Sequence, residues 1–222
     1  MSTPAEFVRR LSRLDVCAVS DAMDKLGLPA ALSGLEQRST TRRIAGRVVT
    51  YRLVAAAQAP AQEGPPRHLG TTAIEMAQPG DVVVVEQRTG LDAGSWGGIL
   101  SLGAKLRGIA GVIADGPVRD IDEARAYDFP VYARALTART ARGRVVESEA
   151  GRPISIGDVT VGTGDYAIAD ASGVVFVSAA DIGRVLDTAE HIAGREAAMA
   201  KALLAGARIT EVMGADYEHM LK

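Results

Sequence analysis

The chain has 222 residues, a formal net charge of −2 from 25 basic and 27 acidic residues, and 4% aromatic residues. The two signs are interspersed, so no basic stripe offers itself to nucleic acid, and stacking residues are scarce. No run approaches the roughly 18 apolar residues of a membrane helix, and the N-terminus lacks a basic segment followed by an apolar core. These features point to a cytoplasmic protein with no nucleic-acid or membrane partner, folded as a single domain over residues 1–222.

Leu11 to Leu26 reads as a helical start, with Ser20-Asp21 offering a cap for Ala22 to Leu26 and Gly27 as the stop. The lone Cys17 reads as a small buried residue. Arg43 to Val54 is strand-like. Gln58 to Pro66 is a polar, Pro-rich loop, and His68 to Gln78 a short amphipathic helix. Val82-Val83-Val84-Val85 is too apolar to have a wet face, which argues for a sheet covered on both sides. Gly90 to Gly98 is a glycine-rich loop, Ile99 to Leu106 a helix, and Gly111 to Ala114 the next buried strand. Asp115 then starts an acid-rich loop, "DGPVRDIDE", which leads into a helix over Arg119 to Tyr127 and a strand over Pro130 to Ala133. The β-α-β-α-β order implies a partly parallel sheet. Short strands from Val145 to Val177 suit a meander or small barrel-like layer, followed by a long helix from Asp181 to Leu204 and a tail from Ile209.

Gly162-Thr163-Gly164-Asp165-Tyr166-Ala167 matches G-x-G-x-x-A, but it leads to a turn and a strand rather than opening a helix, so it is not a dinucleotide fingerprint. His68, His191 and His219 have no ligand spacing and read as surface or interface residues. The loop Gly94-Ser95-Trp96-Gly97-Gly98 enters a helix, whose first turn offers free N–H groups and a positive dipole end to an anion. In a parallel sheet, ligands collect beyond the C-terminal ends of the strands, where Asp115 to Glu123 falls. There Arg119 is suited to clamping a carboxylate with two hydrogen bonds. Asp120 is suited to a hard cation, which needs one or two protein carboxylates. Asp115, Asp122 and Glu123 are supporting acids or merely helix-start acids.

"WGGILSLGAKLRGIAGVIADGPVRDIDEARAYDFPVYAR", Trp96 to Arg134, resembles the RraA-like family, which includes the 4-hydroxy-4-methyl-2-oxoglutarate aldolases and the RNase E regulators. "VSDAMDKLG", "PGDVVVVE" and "GDYAIADASGVVFV" extend the resemblance over most of the chain. It implies an α/β fold of the three-layer swivelling β/β/α type, with a mixed central sheet, an additional β layer and a long C-terminal helix. It also implies a homotrimer or hexamer with the active site at a subunit interface. The activity it implies is a divalent-metal-dependent lyase (Mg²⁺ or Mn²⁺) acting on a small-molecule 2-oxo acid. Asp120 would bind the metal and Arg119 the substrate, both as catalytic residues. The amides of Gly97, Gly98, Ile99 and Leu100 would hold the substrate carboxylate, with Glu196 as the acid from a neighbouring subunit. Asp115 and Glu123 would be supporting. The chain departs from the aldolase pattern at Gly98, where those enzymes carry an Asp or Glu. The RNase E regulators lack the acid that Asp120 retains. The alternative to the lyase is a non-catalytic regulator acting by protein–protein binding.

Overall fold

The structure is a computed structural model that describes residues 3–29, 31–59 and 68–214. Most of the loop expected over Gln58 to Pro66, the end of the C-terminal tail and His219 lie outside the described residues.

The N-terminal stretch is two helices where one was expected. Helix α1 spans Pro4–Leu11 and α2 spans Val16–Lys25. Asp15 breaks the run, because its carboxylate accepts the Ala18 N–H at 2.8 Å and caps α2. Ser20 and Asp21, the expected cap, lie inside that helix. Cys17 is exposed, not buried.

Four strands build the parallel core of the sheet: β2 (Ile44–Ala55), β3 (Val82–Glu86), β4 (Gly111–Val118) and β5 (Val131–Leu136). All three adjacent pairs are parallel, with Val83 in register with Val49 and Val112. The short β1 (Glu36–Gln37) adds antiparallel to β5. Helices α3 (Thr71–Met76), α4 (Gly98–Leu106) and α5 (Ile121–Ala126) connect these strands. They cover one face through Ile74, Leu100, Ala104, Ala124 and the sheet residues Val83, Val85 and Val112.

The remaining strands are not a separate meander. Strands β6 (Val145–Ala150) and β9 (Tyr166–Asp170) both pair antiparallel with β2, at its C-terminal and N-terminal ends respectively. Strand β10 (Gly173–Val177) pairs with β9. Only β7 (Ile154–Ile156) and β8 (Val159–Val161) form an independent two-stranded sheet. The Gly162–Ala167 stretch is the turn from β8 into β9, which removes the basis for a dinucleotide site.

Val48, Val82, Val84 and Ile113 on the second face of the parallel strands pack with Ile154, Ile156, Ala167 and Phe176. This β-on-β layer and the α3–α5 layer make the expected three-layer α/β core. The outer face of β9 and β10, with Tyr166, Ile168, Val175 and Val177, is covered by α1, α2 and the long α6 (Ile182–Leu204). A last turn, α7 (Ile209–Val212), follows. Among the described residues no helix is long and apolar enough to cross a membrane.

Candidate active site

The loops leaving β3, β4 and β5 meet at the C-terminal edge of the sheet and are tied together through backbone groups. The Gln87 side-chain amide donates to the Leu91 and Ala93 carbonyls at 3.1 and 3.0 Å and fixes the turn after β3. Ser95 donates both its N–H and its hydroxyl to the Pro117 carbonyl, each at 2.8 Å. The Arg119 N–H donates to the Trp96 carbonyl at 3.0 Å, and the Gly94 N–H to the Arg139 carbonyl at 3.0 Å. Below them the Tyr51 hydroxyl donates to the Ser95 carbonyl at 2.7 Å. Burial, then the nearby Glu147 carboxylate, pushes that phenol well above its usual range, so it stays a neutral donor.

Trp96 is buried against Phe129, with ring centroids 6.2 Å apart and planes 14° from parallel. Its indole N–H donates to the Ser101 hydroxyl at 2.9 Å, which donates in turn to the Gly97 carbonyl at 3.0 Å. The entrance to α4 is thereby anchored to the hydrophobic core.

Arg119 and Asp120 stand between β4 and α5. Asp120 adopts the left-handed conformation at φ 54°, which Asp and Asn tolerate better than most residues because a short polar side chain can bond locally. One Asp120 carboxylate oxygen accepts from the Arg119 Nε at 3.0 Å, and the other accepts the Gly98 N–H at 3.2 Å. The carboxylate therefore sits on the N-terminus of α4, where the helix dipole favours it. The Arg119 Nε is committed to Asp120, leaving its two terminal NH₂ groups for an incoming anion.

Three glycines of the preceding loop are matched to these side chains. A Cβ on Gly94 would stand 2.9 Å from the Arg119 Cγ, one on Gly97 2.8 Å from an Asp120 carboxylate oxygen, and one on Gly98 1.8 Å from a Glu123 carboxylate oxygen. The loop is glycine-rich because the segment after β4 folds over it. This relation was not legible in the sequence, where the loop read as the entry to an anion-binding helix start.

A cavity of about 160 Å³ opens here, lined among others by Gly97, Gly98, Ile99, Leu100, Arg119 and Asp120. All the residues expected to bind substrate are thus brought together. The amides of Ile99 and Leu100 precede the first helical bond, Ser101 N–H to Gly97 carbonyl, and have no intrahelical acceptor. His68 and Thr140 also line the cavity. Sequence reasoning missed both: His68 lacks ligand spacing, and Thr140 lies in a polar loop with no motif.

The other acids separate. Strand β4 runs through Asp115 and on to Val118, with a register shift between Ala114 and Pro117, so Asp115 does not begin a loop. It is 6% exposed; its carboxylate accepts from Arg134 Nε at 2.7 Å and from the Gly157 N–H at 2.8 Å. It braces β4 against β5 and the β7–β8 turn, away from Asp120. Asp122 is exposed and pairs with Arg125 on the surface of α5. Glu196 lies on α6 near Asp15, the cap of α2, and Asp21 within α2, and does not line the Arg119–Asp120 cavity of its own chain.

The donor set at the cavity is the Asp120 carboxylate; the exposed Glu123 carboxylate lies against Gly98, which lines the cavity, while Glu123 itself is not among the lining residues. Each Asp120 oxygen keeps a lone pair beyond the bond it accepts. Among the described residues no group of three or more His, Cys, Asp or Glu side chains forms a metal cage. A hard cation such as Mg²⁺ or Mn²⁺, which uses few protein ligands and retains water, fits such a set.

Residues 16–176 match the model of the RraA-like family, described as Aldolase/RraA. The chain belongs to the RraA-like family. A relative from Halalkalibacterium halodurans, named "Putative 4-hydroxy-4-methyl-2-oxoglutarate aldolase", is 26% identical over 185 residues, 83% of this chain and 82% of that one. The chain spans only 56% and 28% of the lengths of two further curated relatives, from Methanocaldococcus jannaschii and Legionella pneumophila. An uncharacterized protein of Pseudomonas syringae superposes with a TM-score of 0.84 at 24% identity, over 96% of this chain and 100% of that one. Streptomyces coelicolor RraAS2, titled an unusual member of the RNase ES inhibitor RraA protein family, does so at 0.74 and 24%, over 89% and 98%. These two likenesses establish the fold.

Proposed function

We propose that this RraA-like protein is a divalent-metal-dependent lyase that cleaves a C–C bond in a pyruvate-containing 2-oxo acid. The substrates would be a 4-hydroxy-2-oxo diacid, by retro-aldol cleavage, or oxaloacetate, by decarboxylation. The observation that carries this reading is the Arg119–Asp120 pair bonded to each other and to the N-terminus of α4 around one small cavity.

In this reading the amides of Ile99 and Leu100 hold the substrate carboxylate at the positive end of α4. The Arg119 terminal NH₂ groups bind the 2-oxo end and stabilise negative charge as the C–C bond breaks, a pre-organised electrostatic effect. Asp120 orients Arg119 and would hold Mg²⁺ or Mn²⁺, which when bound supplies Lewis-acid polarisation of the 2-oxo group. Trp96 excludes water from beneath the cavity. Ile99 and Leu106 expose apolar side chains on α4, each 78% exposed, the first of them at the cavity. That exposure supports a homotrimer or hexamer in which a second subunit, bringing Glu196, covers this face.

The test is pyruvate release from a panel of 2-oxo diacids, with and without Mg²⁺ and with chelator. Asp120→Ala is expected to abolish metal-dependent release; unchanged release by that variant would sink the assignment. The second reading is a non-catalytic regulator that binds a ribonuclease. Gly98, lacking the aldolases' acid, favours it. It predicts no turnover on any member of the panel and a stable complex with the partner.

A further inference from the structure

We infer that Glu123 is the second carboxylate of the site, supplied from α5 in the space that a side chain at position 98 would need. The inference rests on the lyase reading above. A Cβ built on Gly98 meets a Glu123 carboxylate oxygen at 1.8 Å, the Glu123 Cδ at 2.5 Å and its Cβ at 3.1 Å. Real Cβ atoms do not come within the first two of these distances, so an acid at 98 would have to displace the exposed, flexible end of the Glu123 side chain from this position. Gly98 is buried although its neighbour Ile99 is exposed, because the Glu123 side chain covers it.

The placement of Glu123 is not accidental to the helix. Its N–H donates to the Asp120 carbonyl at 3.1 Å, which fixes α5 at its start relative to the left-handed Asp120. Asp122, the adjacent acid, points elsewhere and pairs with Arg125. Arg125 thus serves Asp122, and no arginine or lysine neutralises Glu123 among the ion pairs of the described residues. In this reading Asp120 serves Arg119, the Gly98 N–H and the metal, which leaves the proton to a second carboxylate.

A carboxylate packed against Gly98, which lines the cavity, has one specific use in a retro-aldol reaction. The proton of the 4-hydroxyl passes to Glu123, the C4–O bond becomes a carbonyl, and the C3–C4 electron pair moves to C3 to give the pyruvate enolate. The same proton then returns to C3, so the step balances with no co-reactant. Decarboxylation of oxaloacetate breaks its C–C bond without removing a hydroxyl proton and does not need this group.

Two measurements test the inference. In the first, Glu123→Gln, nearly the same shape, is assayed on 4-hydroxy-4-methyl-2-oxoglutarate and on oxaloacetate. General-base loss predicts a fall in retro-aldol turnover on the order of 100-fold or more, well beyond any change in decarboxylation. Equal losses on both substrates, or none on the first, would overturn the inference, as would a wild-type protein that decarboxylates but does not cleave the hydroxy acid. Loss of both reactions in Asp120→Ala with an unaffected Glu123→Gln leaves the lyase reading standing without it.

The second measurement is independent of turnover. Thermal unfolding is followed for Gly98→Asp, Glu123→Ala and the double variant. Competition for this space predicts that Gly98→Asp lowers the melting temperature in the presence of Glu123 and lowers it less once Glu123 is trimmed. Additive shifts would overturn the exchange of positions.

Discussion

The Asp120 carboxylate occupies the space that a side chain at Gly97 would need, 2.8 Å from the missing Cβ. Gly97 has φ −152°, an extended conformation open to any residue, so what keeps it glycine is the contact and not the backbone. Gly97→Ala is therefore expected to displace Asp120 with little loss of fold. Pyruvate release should fall about tenfold or more, since roughly 1 Å of misplacement in a catalytic group has costs of that order. Circular dichroism and steady-state kinetics on the same sample check both halves.

Arg119 joins Asp120 through Nε, which leaves its two terminal NH₂ groups for an anion. Lysine keeps the charge but has no fork with which to hold a carboxylate and Asp120 together. Arg119→Lys should weaken binding and turnover together, with kcat/KM down by about 100-fold, from the loss of roughly 3 kcal/mol of charge-assisted hydrogen bonding. Substrate saturation curves would show it.

Asp115 carries stability rather than chemistry. It is buried and holds Arg134 and the Gly157 N–H, so Asp115→Ala strands both donors. Urea unfolding should show a loss of about 1–3 kcal/mol, the range for an orphaned hydrogen-bonding group next to a partly exposed partner. The kcat of the folded fraction should stay within about twofold of wild type, because the cost falls on folding and leaves the barrier of the bound complex alone.

Phe129 is fully buried beneath Trp96. Phe129→Ala should cost about 3–5 kcal/mol by transfer and cavity formation. It should also loosen the Trp96–Ser101–Gly97 chain that anchors α4. Denaturant unfolding measures the first effect; increased amide exchange at the start of α4 would report the second.

Glu196 and Asp21 both have carboxyl groups raised above their ordinary values of 4.5 and 3.8, first by burial and then by neighbouring acids. A raised acid binds more protons folded than unfolded, so stability falls as pH rises from those ordinary values through the folded ones. Glu196→Gln removes one such group and should flatten the slope of melting temperature against pH in the mildly acidic range. A scan from about pH 4 to about pH 7 tests it. In the same variant, loss of pyruvate release without loss of fold would support Glu196 as the acid contributed across a subunit interface.

The parallel β-α-β-α-β core was legible because its strands carry β-branched and apolar residues, most plainly the Val82 to Val85 run, between glycine and proline turns. Arg119 and Asp120 were legible because the segment follows such a run. Asp115 was misread because Gly116-Pro117 looks like the end of a strand. The register shift after Ala114 lets β4 continue through it. The break at Asp15 was hidden by the apolar spacing on either side, which is compatible with one helix until the capping bond to Ala18 is seen. Glu123 could not be told from an ordinary helix-start acid, because what distinguishes it is a glycine on a different helix. The β-strands after Val145 were individually visible, but their pairing to β2 depends on register that alternation alone does not fix.

The 12 residues of β2 serve β9 and β6 on one edge and β3 on the other. A strand shared in this way welds the parallel strands that carry Arg119 and Asp120 to the helical layer formed by α1, α2 and α6. Neither half can open without stripping hydrogen bonds from the other. The chain should therefore melt as one foldon, and amide protons of Val49 and Tyr51 should exchange only through global unfolding. Cutting the protein between its parallel and antiparallel parts would yield no autonomous fragment.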